Sequence, residues 1–324
     1  MARYFVTGGA GFIGSNLVDH LLAAGHSVTV YDNFSTGQRA FLIAAQQSHR
    51  FTLVEGDLLD QPRLTDAMAG HDMVFHLAAN ADVRFGTLHP QKDLQQNTIA
   101  TFHVLEAMRA QGVRRIAFSS TGSIYGEPEV FPTPETCPFP TQTSLYGASK
   151  LAGEGLIAAY CTGFGFQGYI FRFVSILGQR YTHGHVFDFY NKLRRNPDQI
   201  EVLGNGRQRK SYLHVDDCVA AIMVAIDKAQ EPLNIFNLGT EETCTVDDSL
   251  GWICGRLGLN PKVVHTGGQR GWVGDSPFIF LDTTKIRSLG WRPRASIEQG
   301  IICTLDYLQS SPWVFEQVKA AQAA

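Results

Sequence analysis

Tyr146 and Lys150 stand four residues apart in Ser144-Leu145-Tyr146-Gly147-Ala148-Ser149-Lys150. That spacing puts a phenol and an ammonium on one face of a helix. Upstream, the apolar run Ile116-Ala117-Phe118 opens into Ser119-Ser120-Thr121-Gly122-Ser123, a hydroxyl cluster at the carboxyl end of an expected strand. The chemistry such a set offers is proton transfer at a substrate oxygen. The spacing alone is common in helices, so the reading rests on its surroundings.

A second constellation opens the chain. The run Tyr4-Phe5-Val6-Thr7 leads into Gly8-Gly9-Ala10-Gly11-Phe12-Ile13-Gly14, and an amphipathic pattern with Leu17, Leu21 and Leu22 follows at once. Strand, glycine turn and helix in that order are the context of a dinucleotide fingerprint, met here as Gly9-x-Gly11-x-x-Gly14 and as Gly8-x-x-Gly11-x-x-Gly14. The glycines let backbone approach a pyrophosphate, and the helix N-terminus aims free N–H groups at it. A second strand, Ser27-Val28-Thr29-Val30-Tyr31, ends in Asp32. An acid at that distance hydrogen-bonds a ribose 2′-hydroxyl and repels a 2′-phosphate, which selects NAD over NADP.

The elements that must position these groups follow from the alternation of short β-rich runs with helical periodicity. Strands are expected near 3–7, 27–31, 51–55, 72–77, 113–119 and 166–173, with helices beginning near Gly11, Gln38, Gln61, Lys92 and Ser144. This pattern predicts an α/β fold, a Rossmann-type doubly wound parallel sheet with a smaller mixed α/β C-terminal substrate domain. Residues 1–177 form the NAD-binding part, with 211–240 returning to it through Asn234-Ile235-Phe236-Asn237-Leu238-Gly239. Residues 178–210 and 241–324 form the smaller substrate part, and the tail Glu316 to Ala324 is helix-prone. The long helices near 91–111 and 144–163, the first with the apolar stripe Ile99, Phe102, Leu105 and Met108, are expected to build a homodimer interface.

Composition narrows the setting. The chain has 324 residues, 44% of them hydrophobic and 18% charged, with a formal net charge of −3, which gives no sign of a nucleic-acid or anionic-membrane partner. Six scattered cysteines lack any Cys-x-x-Cys pair, so they read as reduced thiols of a cytoplasmic protein rather than metal ligands or disulfides. Neither a spanning apolar run nor a signal-peptide layout is present.

Seven motifs then occur in order over nearly the whole length: Thr7-Gly8-Gly9-Ala10-Gly11-Phe12-Ile13-Gly14, Tyr31-Asp32-Asn33, Gly56-Asp57-Leu58, His76-Leu77-Ala78-Ala79, Ser119-Ser120-Thr121, Tyr146-Gly147-Ala148-Ser149-Lys150 and Ser211-Tyr212-Leu213-His214-Val215-Asp216-Asp217. In these the chain resembles the extended short-chain dehydrogenase/reductases, and specifically the NAD-dependent nucleotide-sugar epimerases and dehydratases typified by UDP-glucose 4-epimerase. The resemblance implies Tyr146 as catalytic base, Lys150 as its electrostatic partner and nicotinamide-ribose ligand, and Thr121 as the hydroxyl that bonds the substrate. It places Gly8, Gly11, Phe12, Ile13 and Gly14 at the pyrophosphate, Asp32 and Asn33 at the adenosine ribose, and Asp57 and Leu58 at the adenine. Leu77, Ala78, Ala79, Asn97 and Ser119 complete the cofactor set. Ser123 and Ser175 join Thr121 and Tyr146 on the substrate, with Arg209, Lys210 and Arg270 as diphosphate anchors. His76 and His214 are read as structural.

The implied reaction is inversion at C4 of a UDP-linked sugar through a transient 4-keto sugar, with NAD tightly bound and regenerated each turnover. Tyrosine titrates near ~10, so a base near neutrality needs about three units, roughly 4 kcal/mol. One ammonium at ~4 Å in an effective dielectric of ~20 supplies about that much. Two departures bear on the sugar and its anchor. Lys210 stands where relatives carry arginine, and Ser175 where many carry asparagine. The second leaves UDP-glucuronate 4-epimerase as an alternative to the UDP-glucose/UDP-galactose type, with a UDP-glucuronate decarboxylase behind it, for which Arg84 and Arg180 are candidates to face a carboxylate. The 4,6-dehydratases place Asp-Glu after the threonine, where this chain has Gly122-Ser123, so that elimination is excluded. A non-catalytic dinucleotide-binding regulator is the remaining class, against which the chain keeps Thr121, Tyr146 and Lys150.

Overall fold

The computed structural model describes residues 1–80, 89–139, 141–271, 276 and 278–316. Arg84, Trp272 to Asp275 and the tail beyond Glu316 therefore lie outside the described residues. In chain order the strands are β1 (Arg3–Thr7), β2 (Ser27–Asp32), β3 (Phe51–Glu55), β4 (Met73–His76), β5 (Arg115–Thr121), β6 (Gln167–Phe173), β7 (Ser175–Leu177), β8 (Gln199–Val202), β9 (Arg209–Lys210), β10 (Tyr212–His214), β11 (Leu233–Leu238), β12 (Cys244–Thr245), β13 (Lys262–His265) and β14 (Phe278–Ile279). Seven of them form one parallel sheet in the order β11-β6-β5-β4-β1-β2-β3. Side chains on both faces of β1, Tyr4, Phe5 and Val6, are buried, as a parallel sheet covered by helices on two sides requires. The doubly wound reading holds.

The order reverses at β1, which pairs with β2 on one side and β4 on the other. Ligands in open α/β sheets bind in the crevice outside the carboxyl ends at such a point. Here that crevice lies over Thr7-Gly8 and His76-Leu77-Ala78.

Two helical expectations change. The stretch after Gln38 makes only the short 3₁₀ turns Arg39–Leu42 and Ala45–Gln47. Its start is tied to the glycine loop, since Gln38 N–H donates to the Ala10 carbonyl at 2.8 Å. A Cβ on Gly37 would also lie 2.8 Å from Asp32 Oδ1, so the segment follows the loop instead of winding on. The stretch near 91–111 runs from Pro90–Asp93 through a π-helical Leu94–Ile99 into Ala100–Gln111. Asn97 of the π segment points inward, while in the α-helix that follows Leu105 and Met108 are buried; Ile99 and Phe102 are exposed. The expected stripe is thus split between core and surface. By contrast, helix Leu145–Phe164 is bounded by local chemistry, with the Ser144 hydroxyl accepting from Gly147 N–H at 3.0 Å and Gly165 in the left-handed conformation, φ 66°.

Beyond β6 the smaller sheets β10-β7, β12-β9-β14 and β13-β8 surround helices His185–Arg195, Val246–Leu257 and Ile297–Ser310. Leu177, Phe187, Leu250, Ile253, Ile301 and Leu305 share a core there, separate from the two cores flanking the main sheet. Helix Val215–Lys228 is held to the C-terminal segment by buried Asp217, whose carboxylate accepts from Arg294 N–H at 2.9 Å and Ala295 N–H at 3.1 Å. No helix among the described residues is long and apolar enough to cross a membrane.

Candidate active site

The glycine loop is shaped by what its missing side chains allow. Gly8 has φ +70°, and a Cβ there would fall 2.6 Å from Ala78 N. At Gly14 a Cβ would fall 2.2 Å from the Gly8 carbonyl oxygen, so helix Phe12–Ala23 starts directly beneath the loop. Its first intrahelical bond joins Ser15 N–H to Gly11 O, which leaves the N–H groups of Phe12, Ile13 and Gly14 directed out of the helix end. Neither a capping side chain nor an acidic residue in the first turn offsets the positive end of the dipole. The free N–H groups and the positive dipole end of this cradle suit a dinucleotide pyrophosphate.

The adenosine side follows β2 and β3. The Asp32 carboxylate is buried and accepts from Ala10 N–H and Phe34 N–H, both at 2.9 Å. Burial raises its pKa, and the two backbone bonds pull it back. Asn33 Nδ2 donates to Asp57 Oδ2 at 3.0 Å, and Asp57 Oδ1 accepts from Leu59 N–H at 2.9 Å. The buried Leu58 gives its carbonyl to His103 at 2.9 Å. On the other side of the crevice Leu77 N–H bonds the Thr7 carbonyl, Ala78 N–H bonds the Thr7 hydroxyl, and Ala79 follows half-buried. His76 lies beneath, bridging the Thr7 and Thr101 hydroxyls at 2.8 and 2.9 Å. Burial holds it near 3, so it stays neutral and structural. His214 also acts locally, with Nδ1 accepting from Asp216 N–H at 3.3 Å at the start of its helix.

Thr121, Tyr146 and Lys150 come together where β5 meets helix Leu145–Phe164. The Tyr146 hydroxyl shares a hydrogen bond with Thr121, and burial pushes the phenol up to about 12, with buried Asp93 raising it further against the Thr121 bond. Thr121 Oγ1 also accepts from Ser123 N–H at 3.1 Å. Lys150 Nζ donates to the Ser119 carbonyl at 2.8 Å and lies 4.6 Å from the centre of the Phe118 ring. Burial pushes this amine down to about 7. The Lys150 amine is thus directed at a strand carbonyl, one helical turn along from the phenol.

Asn97 joins the crevice to this helix. Its amide accepts from Asn80 N–H at 2.8 Å and donates to Ser149 Oγ at 2.9 Å, while Asp93 accepts from Asn80 Nδ2 at 2.8 Å. Asn80 and Asp93 were not singled out from sequence. The available signal was the i,i+4 spacing of Asp93 and Asn97. The same spacing carries on from Tyr146 and Lys150 to Glu154, also overlooked.

The substrate-side candidates lie on the smaller sheets. Ile279 of β14 and Leu281 face Gly122, where a Cβ would meet them at 3.6 and 3.4 Å. Through β14 the sheet brings β9, with Arg209 and Lys210, to the Thr121 end of β5. Arg209 donates to Thr243 Oγ1 at 2.8 Å and lies 5.4 Å from the Phe278 ring centre. Arg270 is exposed and pairs with Glu127 at 2.5 Å. Ser175 is exposed on β7 opposite Tyr212. Arg180 pairs with Asp19 of the first helix at 2.5 Å.

The profile of the NAD dependent epimerase/dehydratase family matches residues 4–239. The chain belongs to this family. A UDP-glucose 4-epimerase of Mycolicibacterium smegmatis is 33% identical over 315 residues, covering 95% of this chain and 99% of its own. The crystal structure of the Thermotoga maritima UDP-glucose 4-epimerase with UDP-glucose superposes with a TM-score of 0.87 at 32% identity, over 96% of this chain and 99% of that one. The Thermus thermophilus UDP-glucose 4-epimerase, solved as a complex with NAD, gives 0.85 at 32% identity, over 95% and 99%.

Gly14→Ala tests the cradle. The new Cβ must push the Gly8 carbonyl aside, so unfolding stability should drop by about 1–3 kcal/mol. Chemical denaturation with an unchanged midpoint would show that the loop gives way freely.

Proposed function

We propose that this protein is a UDP-hexose 4-epimerase of the UDP-glucose/UDP-galactose type, working on a retained NAD. The observation that carries the reading is the meeting of Thr121, Tyr146 and Lys150 beside a glycine cradle at the sheet's reversal point. Sequence identity to enzymes of that name over nearly the whole chain supports it. Asp32 at the end of β2 supports NAD over its 2′-phosphorylated form. Residues 1–177 and 211–240 are assigned to cofactor binding, with 178–210 and 241–324 assigned to the nucleotide sugar. The six free thiols suit a cytoplasmic setting.

In this reading Tyr146 takes the proton of the sugar O4 hydroxyl and gives it back after inversion, while Thr121 and Ser123 hold that oxygen. Bound NAD supplies a hydride acceptor that is restored within the turnover and adds one positive charge to the site. From about 12, a phenol serving near neutrality needs a drop of ~5 units, roughly 7 kcal/mol. A single ammonium at ~4 Å in an effective dielectric of ~20 gives about 4 kcal/mol. Two nearby positive charges are therefore required, and Lys150 is one of them. Arg270, with Arg209 or Lys210, is assigned to the diphosphate, since arginine forks and a lysine ammonium both bind phosphate oxygens.

A homodimer through the two long helices completes the reading. Leu94 and Phe102 on one are 54% and 41% exposed, and Leu145 on the other is also exposed, an apolar surface that suits a partner copy.

Purified protein given UDP-glucose, UDP-N-acetylglucosamine and UDP-glucuronate separately, with no added NAD, should form the C4 epimer of UDP-glucose by proton NMR. Tyr146→Phe should lower kcat at least ~10²-fold while the NAD released on denaturation is unchanged. Undiminished turnover by that variant would remove Tyr146 as the base. Light scattering should give twice the 35.7 kDa chain mass, and Phe102→Glu should halve it. A wild-type monomer would end the dimer assignment.

A further inference from the structure

Three consecutive residues of β5 meet three successive turns of helix Leu145–Phe164. The Thr121 hydroxyl bonds Tyr146, the Ser119 carbonyl receives Lys150, and the Ser120 hydroxyl donates to the Glu154 carboxylate. Glu154 is 5% exposed and Lys150 and Arg172 are 2% exposed, so all three charges sit in the interior. Arg172 on β6 clamps Glu154 with two parallel bonds, Nη2 to Oε2 at 2.8 Å and Nε to Oε1 at 3.1 Å. Its remaining nitrogen donates to Tyr125 OH at 2.7 Å and to the Glu135 carbonyl at 2.9 Å. Tyr125 in turn donates to Asn237 of β11 at 2.9 Å.

We propose that Glu154, fixed by Arg172, is a positioning residue that holds Lys150 as an ammonium within reach of Tyr146. The inference rests on the epimerase reading for its catalytic consequence and on the geometry alone for its electrostatic one. A buried ion pair is poor evidence for stability, since well-packed apolar residues often replace one without loss. The placement of this pair one turn beyond Lys150 gives it another use.

The groups around Lys150 leave that use to Glu154. On its own helix lie Tyr146, a neutral phenol, and Glu154. From β4 comes His76, held neutral by burial. From β5 come a carbonyl and the Phe118 ring, and from β6 Arg172 stands behind Glu154. Asp93 acts on Tyr146. Burial works against the ammonium and the Glu154 charge works for it. Without that charge Lys150 should lose its proton at lower pH by ~1 unit or more, the usual effect of an opposite charge one turn away. Its charged fraction at pH 7 then falls about fivefold.

The test is NMR of protein carrying ¹³C at lysine Cε, the Lys150 signal being identified by its loss in Lys150→Met. The Lys150 titration midpoint should fall in Glu154→Gln and in the charge-neutral double variant Glu154→Gln/Arg172→Met. In the same variants the alkaline limb of the kcat profile should move to lower pH, with KM for the sugar nucleotide unchanged. A midpoint that stays put in either folded variant overturns the proposal, and so does loss of the fold in both, which would make the pair structural. If the midpoint moves while no UDP-sugar turns over in the wild type, the epimerase reading falls and the positioning role stands.

Discussion

Burial of the Lys150 ammonium is the constraint around which the site is built. Taking a charge out of water is expensive, and a lone ammonium in the interior sheds its proton instead. The fold answers with the Ser119 carbonyl, the face of the Phe118 ring and the Glu154 carboxylate. Each answer brings its own requirement. Glu154 needs Arg172, Arg172 needs Tyr125 and the Glu135 carbonyl, and Tyr125 needs Asn237. One buried charge thus links β5, β6, β11 and the segment after Tyr125 in a single polar network. Such networks specify position because a half-satisfied one is worse than none.

The cofactor side is governed by steric exclusion rather than charge. Gly8 lets β1 and the end of β4 approach until backbone touches backbone, and Gly14 lets a helix begin under the loop. The result is a row of N–H groups at an undamped dipole end, beside strands whose order reverses. Asn97 ties this side to the other, since its one amide touches Asn80 in the crevice and Ser149 on the Tyr146 helix. The π turn Leu94–Ile99 holds the buried Asn97 and the exposed Ile99, a backbone irregularity of the kind common at functional sites.

Much of this was legible in the sequence, and the limits of legibility have physical causes. The strands and the Tyr146–Lys150 pair were readable because period, glycine turns and i,i+4 spacing are local signals. The failure after Gln38 came from a contact that spacing does not encode, the bond from Gln38 to Ala10. The Ile99–Met108 stripe was misread because residues three apart drift round a helix of 3.6 residues per turn, which sets Phe102 about 120° away from Met108. Arg172 was missed because its partner Glu154 lies 18 residues upstream, and only the pairing of β5 with β6 under a shared helix brings them together. Tyr146 was expected to feel Lys150 as its main neighbour. Desolvation dominates instead, and burial is not a local property.

The ion pairs of this chain divide by burial, and the division suits the chemistry on each side. Arg172–Glu154 is enclosed, bidentate and satisfied on every side, so breaking it would strand a charge at a cost of about 3–5 kcal/mol. Arg270–Glu127 is nearly half exposed on both partners, and such pairs contribute about 0–1 kcal/mol. An exposed pair of this kind can be traded for another partner at little cost, whereas Arg172 cannot leave Glu154. On the proposed reading, the Tyr146 side is therefore fixed by interactions too strong to trade, and the arginine assigned to the diphosphate sits in a pair weak enough to be replaced. A reaction that requires the sugar to turn within the pocket while its nucleotide stays anchored needs this asymmetry: rigid groups around the reacting oxygen, and exchangeable charges where the diphosphate enters.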